Sequence, residues 1–250
     1  MTIKKAVILA AGRGSRMGAM TKVIPKPLLP LVDRPILDHI IEEARTSGIE
    51  DIFIVVHFQH HLIESYYAQE KDIHFIYQPS LNGTGPAVLL AKDFIEKEAF
   101  ALFLADEVII SQQPCIQQLM QVYEQVPASL VTGVEETTHE KIKKYNALRI
   151  EAYGESLVQI HEMIEKPQHP VSPYTSIGRY ILSNDLLALL AEDIFEETNS
   201  EIPLTSYLNR LAQAGKAFGL LFEGKRLDLG SVNSWWEGNY QLKLYKDDRS

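Results

Sequence analysis

The sequence predicts an α/β protein in which a doubly wound sheet occupies the first half and antiparallel strands are added in the second half. Two observations predict this fold. Short apolar runs alternate with helical patterns up to about Ala128, as in parallel sheets that carry helices on both faces. Beyond that residue, strand patterns follow one another with short turns between them, which is typical of antiparallel pairing.

The first half begins with a strand and continues with alternating helices and strands. Residues 6–10 are a continuous apolar run, as expected of a strand that is buried on both faces. A long proline-containing loop follows, and the next helix is predicted to begin near Pro35 because proline suits the first helical turn. The other predicted strands are 52–56, 73–77 and 100–104, and the other helices are 59–69 and 87–97, with a turn at 83–85.

The second half is predicted to contain a hairpin, further strands and a terminal helix. Residues 152–154 have the composition of a turn between two strand patterns. The predicted strands are 148–150, 157–164, 175–182 and 218–222, and the predicted helices are 185–191, 203–214 and 232–244. Because no linker, low-complexity tract or internal repeat interrupts the chain, we expect residues 1–250 to form a single domain.

The charge balance is acidic, with 33 Asp and Glu against 24 Lys and Arg and a net charge of −9 at pH 7. A chain this acidic lacks the broad basic face that nucleic-acid binding needs, so any phosphate must meet a local basic pocket. The single cysteine, Cys115, excludes a disulfide within the chain and a cysteine-based zinc site. No apolar run is long enough for a secretory signal or a membrane span. We therefore expect a cytoplasmic protein without nucleic-acid or membrane partners.

The most informative segment is the turn after the first strand, Ala11-Gly12-Arg13-Gly14-Ser15-Arg16-Met17. Glycines at such a turn let the backbone approach a ligand closely and direct amide N–H groups toward an anion. The guanidinium of Arg16 adds a charged fork that suits phosphate oxygens. Lys26, in the proline-containing loop that follows, is placed to meet a second phosphate. The pattern therefore predicts a phosphate-binding site; the alternative is a glycine turn without a ligand.

Two other nucleotide-binding patterns fit this turn less well. A dinucleotide-binding fingerprint requires a third glycine where Met17 stands, and an acidic residue at the end of the second strand, where His57 stands. A Walker-type P-loop requires a Gly-Lys-Ser/Thr triplet, and none follows this turn at the required spacing.

The pattern Gly12-x-Gly14-Ser15-Arg16-Met17, followed by Pro25-Lys26, resembles the signature of the sugar-1-phosphate nucleotidyltransferases. Within that family, residues 24–35 are similar to the bacterial UTP–glucose-1-phosphate uridylyltransferases, and the similarity extends to about Asn239. The resemblance implies the nucleotidyltransferase fold, a Rossmann-like doubly wound mixed sheet, with a nucleotide-binding half at about 1–127 and a sugar-binding half with a C-terminal helix at about 128–250.

The resemblance also implies the reaction. A nucleoside monophosphate would pass from a triphosphate, expected to be UTP, to a sugar 1-phosphate, expected to be glucose 1-phosphate. The products would be an NDP-sugar and pyrophosphate.

The same resemblance implies roles for individual residues. Those implied to bind the nucleotide are Ala11, Gly12, Gly14, Ser15, Gln78 and Gly83. Those implied to bind the sugar are Asn146, Glu165, Lys166, Gly178 and Glu201. Those implied to be catalytic are Arg16, Lys26, Asp106 and Lys166. Gln78 and Gly83 would read the base, because a glutamine amide can pair with the edge of a uracil or thymine ring.

Asp106 and Asp228 resemble the two metal-binding aspartates of the family. Asp106 follows the strand 100–104, and the carboxyl ends of strands are where open α/β sheets bind ligands. Mg²⁺ prefers a few carboxylates together with substrate phosphates. We therefore expect these two aspartates, from distant parts of the chain, to hold one Mg²⁺ against a bound triphosphate.

Two positions depart from the family's pattern. Asn146 stands where the family commonly has glycine, which leaves the identity of the sugar open, and Glu107 stands where it commonly has Asp or Asn. The alternatives are a glucose-1-phosphate thymidylyltransferase, an enzyme for another sugar or, in a different class, a non-catalytic protein that binds nucleotide-sugars. A homo-oligomer is compatible with the sequence but is not predicted by it.

Overall fold

The computed structural model describes residues 3–193 and 201–248. The strands are β1 (Lys5–Leu9), β2 (Pro30–Leu31), β3 (Arg34–Pro35), β4 (Asp51–Val56), β5 (Ile73–Tyr77), β6 (Phe100–Leu104), β7 (Glu107–Ile110), β8 (Leu130–Glu136), β9 (Asn146–Ala152), β10 (Leu157–Glu165), β11 (Tyr174–Leu182), β12 (Ala217–Leu221) and β13 (Lys225–Asp228). The helices are α1 (Ile36–Thr46), α2 (His60–Tyr66), α3 (Thr84–Leu89), α4 (Lys92–Ile95), α5 (Cys115–Tyr123), α6 (His139–Ile142), α7 (Asn184–Asp193), α8 (Leu204–Gln213) and α9 (Val232–Asp247).

Within the described residues, a nine-stranded mixed sheet has the strand order β5-β4-β1-β6-β11-β8-β12-β10-β9. The first four strands in this order are parallel to one another, and β11 pairs antiparallel with β6. The strands β12, β10 and β9 pair antiparallel in turn. The predicted doubly wound mixed sheet with added antiparallel strands is therefore confirmed.

Helices cover both faces of this sheet because successive side chains of each strand point to opposite faces. In β1, Ala6 and Ile8 belong to one hydrophobic core and Val7 belongs to the other. The first core also takes buried residues of α1, α5 and α9, and the second takes those of α3, α7 and α8. Both faces of β1 are thus apolar, as its continuous apolar run predicts.

Some local predictions are wrong. The predicted helix 87–97 is two short helices, α3 and α4, and α3 begins at Thr84, so that Gly85 is helical rather than part of a turn. Tertiary contacts explain the early start: Gly85 N–H donates to the Ile202 carbonyl at 3.1 Å, and Thr84 Oγ1 accepts from Leu204 N–H at 2.8 Å. These partners come from a remote part of the chain, so no local pattern indicates them.

Several elements are missing from the prediction, namely β2, β3, β7, α5, β8, α6 and β13. The short strands β7 and β13 pair with each other outside the main sheet, and each begins with a charged residue, Glu107 in β7 and Lys225 in β13. Such pairing depends on long-range contacts rather than on an apolar run. In the part of the chain that the structure describes, no helix combines the length and apolar character of a membrane span.

Candidate active site

Two adjoining cavities open where β1 and β6 end, which is the edge of the sheet where ligands bind in open α/β folds. The larger has a volume of about 540 Å³ and is lined by the turn after β1 together with Gln78, Gly83 and Glu201. The smaller, of about 230 Å³, is lined by residues that include Asn146, Glu165 and Gly178. Both cavities are lined by Arg16, Thr84, Leu104 and Asp106. A ligand that fills both would therefore pass these shared residues.

Gly12 and Gly14 have different surroundings in the turn after β1. Gly14 has a φ of +63°, and a Cβ there would lie 2.9 Å from Thr21 Cγ2 and 3.1 Å from Lys26 Cβ. Thr21 Oγ1 donates to the Gly14 carbonyl at 2.9 Å, which fixes the turn against the following loop. A Cβ on Gly12 would meet no atom within 4 Å, and Gly12 lines the larger cavity. Gly14 is therefore required by packing, whereas Gly12 leaves space for a ligand.

Lys26 and Asp106 form an ion pair in the larger cavity. Lys26 Nζ lies 3.3 Å from Asp106 Oδ2, and the Lys26 side chain is only 9% exposed. Burial disfavours the charged form of Asp106, but the Lys26 ammonium and the Arg16 guanidinium outweigh burial and hold the pKa of this carboxyl below its ordinary value. Asp106 is therefore a carboxylate at neutral pH.

Asp228 reaches the same region although it is far from Asp106 in the sequence. The antiparallel pairing of β13 with β7 places Asp228 opposite Glu107, the neighbour of Asp106. Asp106 and Asp228 both line the smaller cavity. A Cβ on Gly230 would lie 2.8 Å from Asp228 Oδ1 and 3.3 Å from Arg16 Nη2, so glycine at this position leaves room for both groups. The structure thus brings the two predicted metal ligands together beside Arg16.

Gln78, predicted to read the base, lies at the end of β5 and is only 3% exposed. Its Nε2 donates to the Gly83 carbonyl at 3.3 Å. Its backbone N–H donates to the Val56 carbonyl at 2.8 Å, which extends the pairing of β5 with β4. Gln78 and Gly83 both line the larger cavity. The amide is therefore held in a fixed position on the wall of that cavity.

Glu201 lines the larger cavity rather than the smaller one, although it is predicted to contact the sugar. Its position follows from the next residue, Ile202, whose N–H donates to the Asn82 carbonyl at 2.8 Å. Gly83 has a φ of +118°, and a Cβ there would clash with the backbone of Ile202. The segment that carries Glu201 therefore packs directly on the loop that carries Gln78.

Glu165 and Lys166 lie at the end of β10 and line the smaller cavity. Glu165 Oε2 accepts from Thr205 Oγ1 at 2.7 Å, and Glu165 Oε1 lies 3.3 Å from Lys166 Nζ. Lys166 has a positive φ of +42°, and its N–H donates to the Tyr145 carbonyl at 2.7 Å. The Lys166 side chain is 66% exposed, so its ammonium can contact an anion that enters the cavity in addition to Glu165.

Asn146 is buried between β9 and β11 and lines the smaller cavity. Its Nδ2 donates to Ser176 Oγ at 2.8 Å, and its Oδ1 accepts from Ser176 N–H at 3.0 Å. Gly178 also lines this cavity, but a Cβ there would lie 2.8 Å from Leu104 Cβ and 3.1 Å from Glu107 Oε2. Packing against β6 and β7 is therefore sufficient to explain the glycine at 178.

A family model described as nucleotidyl transferase matches residues 5–244, which include every residue of the site described above. The chain belongs to this family. The resemblance seen in the glycine turn and the Pro25-Lys26 segment is therefore confirmed, and so is the prediction that the protein is an enzyme of the nucleotidyltransferase class.

Homologous proteins match this nucleotidyltransferase over almost its whole length. A Mycoplasma pneumoniae protein named UTP–glucose-1-phosphate uridylyltransferase is 36% identical over 275 residues, covering 98% of this chain and 94% of the relative. A Bacillus subtilis protein named UTP–glucose-1-phosphate uridylyltransferase YngB is 32% identical, covering 98% and 91%. A solved structure of UDP-glucose pyrophosphorylase complexed with UDP-glucose has a TM-score of 0.88 and 32% identity, covering 98% of this chain and 99% of that one.

Glu107 of this nucleotidyltransferase is bound by the protein on both carboxylate oxygens. Oε2 accepts from Gly178 N–H at 2.7 Å, and Oε1 accepts from Arg226 Nη1 at 3.0 Å. Burial raises the pKa of Glu107 above its ordinary value, although the Arg226 guanidinium favours the carboxylate. Glu107 thus connects β7 to β11 and β13, a role that its place after Asp106 in the sequence does not indicate.

Sequence reasoning missed Tyr145 and Arg226 of the nucleotidyltransferase. The Tyr145 hydroxyl donates to Asp228 Oδ2 at 2.5 Å, and the Arg226 guanidinium lies 4.3 Å from the centre of the Tyr145 ring. Burial raises the pKa of Tyr145 above its ordinary value, and the Asp228 carboxylate raises it further, so the hydroxyl stays protonated and remains a donor. The only sequence signal was that Tyr145 precedes Asn146 and that Arg226 lies two residues before Asp228.

Proposed function

We propose that this nucleotidyltransferase transfers the uridylyl group of UTP to glucose 1-phosphate, producing UDP-glucose and pyrophosphate. The relatives described above are named for this reaction, and they match the chain nearly end to end. The structural neighbour was solved with UDP-glucose. We assign the nucleotide part of such a ligand to the larger cavity and the sugar part to the smaller one.

One observation carries this proposal: Arg16 and Asp106 line both cavities. In the proposed reaction, the bond that forms joins the nucleotide to the sugar phosphate. The reacting phosphorus must therefore lie where a nucleotide site meets a sugar site. Groups shared by the two cavities are in the right place to act on it.

The proposed mechanism needs neither a covalent intermediate nor a general base. A phosphate oxygen of glucose 1-phosphate attacks the α-phosphorus of UTP, a new P–O bond forms, and the bond to pyrophosphate breaks in line with the attack. The attacking oxygen is already ionised at neutral pH, so the main barrier is bringing anions together. Catalysis then depends on positioning and on positive charge near the developing transition state.

Three cations of the chain would supply that charge. Arg16 and Lys26 line the larger cavity beside the glycine turn and would bind the phosphates of UTP. Lys166 lines the smaller cavity beside Glu165 and would bind the phosphate of the incoming sugar. The glycine turn, with Gly12 open to the cavity, would receive the triphosphate closely.

Mg²⁺ fits the residues present. Asp106 and Asp228 offer hard carboxylate oxygens on one cavity, and Mg²⁺ commonly uses one or two carboxylates together with substrate phosphates. Among the described residues, no group of three or more His, Cys, Asp or Glu is arranged to hold a metal ion. When bound, the ion would withdraw negative charge from the phosphates.

Gln78 and Gly83 would read the uracil ring in the larger cavity. The Gln78 amide has both a donor and an acceptor, as the ring edge requires. Its burial and its contact with the Gly83 carbonyl hold the amide in one orientation. Glu165, Asn146 and Gly178 would surround the sugar in the smaller cavity. Glu201, which lines the larger cavity, would contact glucose only where the sugar reaches the shared boundary.

The test is a screen of pyrophosphate release with UTP, dTTP, CTP and ATP, each combined with glucose, galactose and N-acetylglucosamine 1-phosphates in the presence of Mg²⁺. We expect UTP with glucose 1-phosphate to give the highest kcat/KM, about tenfold or more above every other pair. Preference for dTTP or for another sugar would replace the proposed substrates. No pyrophosphate release with any pair would indicate a binding protein instead of a catalyst.

A further inference from the structure

Tyr145 stands between the smaller cavity and a polar cleft of about 680 Å³ on the other side, and it lines both. Its hydroxyl donates to Asp228 Oδ2 at 2.5 Å. The other carboxylate oxygen, Oδ1, accepts from Gly230 N–H at 2.8 Å. Each oxygen of Asp228 therefore has its own donor, and together the two donors fix the plane of the carboxylate.

Arg226 packs against the face of the Tyr145 ring. Its guanidinium carbon lies 4.3 Å from the ring centre, within the range of a favourable cation–π contact. The guanidinium is itself held by Glu107 Oε1 at 3.0 Å and by Glu135 Oε1 at 2.5 Å, and the Arg226 side chain is only 5% exposed. A buried guanidinium with two carboxylate partners has little freedom, so it forms a rigid support for the ring.

We propose that Tyr145 is a positioning residue that orients Asp228 toward the divalent cation, and that Arg226 acts through Tyr145. The inference rests on the proposed function, in which Asp228 helps to hold Mg²⁺. A carboxylate oxygen has two lone-pair directions, so Oδ2 can accept from the tyrosine and still face a cation. Mutation of residues that orient metal ligands in this way typically costs about 10- to 100-fold in metal affinity or activity.

Tyr145 is also connected to the sugar side of the site. Its carbonyl accepts from Lys166 N–H at 2.7 Å, and the next residue is Asn146. The hydroxyl, however, can be removed without altering this backbone contact. Tyr145→Phe keeps the ring on Arg226 and removes only the donor to Asp228, which isolates the positioning role.

The measurement is the affinity for Mn²⁺, followed by electron paramagnetic resonance while Mn²⁺ is titrated into protein saturated with UDP-glucose. Without pyrophosphate this complex does not turn over, so the readout is independent of activity. We expect Tyr145→Phe to weaken Mn²⁺ binding about tenfold or more. We expect kcat with UTP and glucose 1-phosphate to fall by a similar factor, while KM for glucose 1-phosphate stays within twofold.

Tyr67→Phe is a matched control. The Tyr67 hydroxyl donates to Asp38 Oδ1 at 2.5 Å, the same bond at the same distance, and neither residue lines either cavity of the site. This variant should bind Mn²⁺ as the wild type does. A similar loss of Mn²⁺ affinity in Tyr67→Phe would mean that any lost tyrosine–aspartate bond loosens the protein, which would overturn the specific role of Tyr145.

The role of Arg226 is tested by combining variants. Arg226→Lys keeps a positive charge between Glu107 and Glu135 but removes the planar group from the Tyr145 ring. If Arg226 acts through Tyr145, Arg226→Lys should weaken Mn²⁺ binding in the wild-type background and have little further effect in Tyr145→Phe. Full additivity of the two effects would contradict that part of the proposal.

Turnover of UTP with glucose 1-phosphate by the wild type distinguishes failure of the proposed function from failure of the positioning role of Tyr145. Absence of turnover would refute the proposed function and this inference with it. An active wild type whose Tyr145→Phe variant binds Mn²⁺ equally well, or more tightly, would refute only the positioning role. Tighter binding would mean that the hydroxyl competes with the cation for Asp228.

Discussion

At the scale of single residues, the atoms around each glycine of the site determine whether a side chain could fit at that position. The turn after β1 illustrates this. The sequence predicts a phosphate-binding turn from its two glycines, but it does not distinguish them. The structure does, because a Cβ on Gly14 would press against Thr21 and Lys26 while a Cβ on Gly12 would enter open space.

Alanine substitutions at these two glycines should therefore have different effects. Gly12→Ala should leave the free energy of unfolding nearly unchanged and raise KM for UTP about tenfold, because the added methyl occupies the ligand's side of the turn. Gly14→Ala should lower the free energy of unfolding by about 2 kcal/mol or more, because it combines strain at positive φ with overpacking. Urea unfolding and steady-state kinetics on both variants provide the check. A stable Gly14→Ala protein with normal kinetics would contradict this explanation.

At the scale of elements, the loop before α3 and the segment before α8 determine the shape of the larger cavity together. Ile202 N–H donates to Asn82, Gly85 N–H donates to Ile202, and Leu204 N–H donates to Thr84 Oγ1. These contacts place Glu201 on the wall of the same cavity as Gln78. The sequence identifies both segments but not their contact, since hydrogen bonds between remote loops leave no periodic pattern.

Gly83→Ala tests this contact. Its φ of +118° is a conformation that residues with a Cβ rarely adopt, and the new methyl would clash with the Ile202 backbone. We expect the free energy of unfolding to fall by about 3 kcal/mol or more. Gly48→Ala is the control, because Gly48 has a φ of +89° with no atom within 4 Å of a Cβ, and strain alone should cost about 1 kcal/mol. Equal losses in the two variants would show that the contact with Ile202 contributes little.

At the scale of the whole molecule, a buried ion pair joins elements that are distant in the sequence. Arg179 on β11 is fully buried, and its Nε donates to Glu43 Oε2 on α1 at 2.9 Å. Its Nη2 also donates to the carbonyl of Glu107 at 3.0 Å, directly beside Asp106. The guanidinium therefore ties α1, β7 and β11 together behind the proposed metal ligands.

Arg179→Met should destabilise the protein by about 3–5 kcal/mol, because it leaves the Glu43 carboxylate buried without its cation. The control is Arg45→Met, which removes the exposed pairs of Arg45 with Glu70 and Asp72 and should cost about 1 kcal/mol or less. Chemical unfolding of the two variants measures both values. If Arg179→Met lowers the free energy of unfolding by less than about 1 kcal/mol, the buried ion pair is not what holds α1, β7 and β11 together.

The sequence predicts the overall architecture well because apolar runs and helical periods are local properties. The strands that precede Gln78 and Asp106 were predicted, and so were the glycine turn and the sheet type. The contact of Tyr145 with Asp228 and the pairing of β7 with β13 were not, since both join residues that are far apart in the chain. The position of Glu201 depends on the packing of Ile202 against Gly83, which is equally invisible to local patterns.

The central claim is that the carboxylate of Asp106, at the boundary of the two cavities, is essential for phosphoryl transfer. Asp106→Asn tests it most directly, because the carboxamide keeps the shape and an acceptor for Lys26 but removes the charge. We predict that kcat for UTP with glucose 1-phosphate falls at least about 100-fold while the melting temperature stays close to that of the wild type. Turnover within a few-fold of the wild type would contradict the claim.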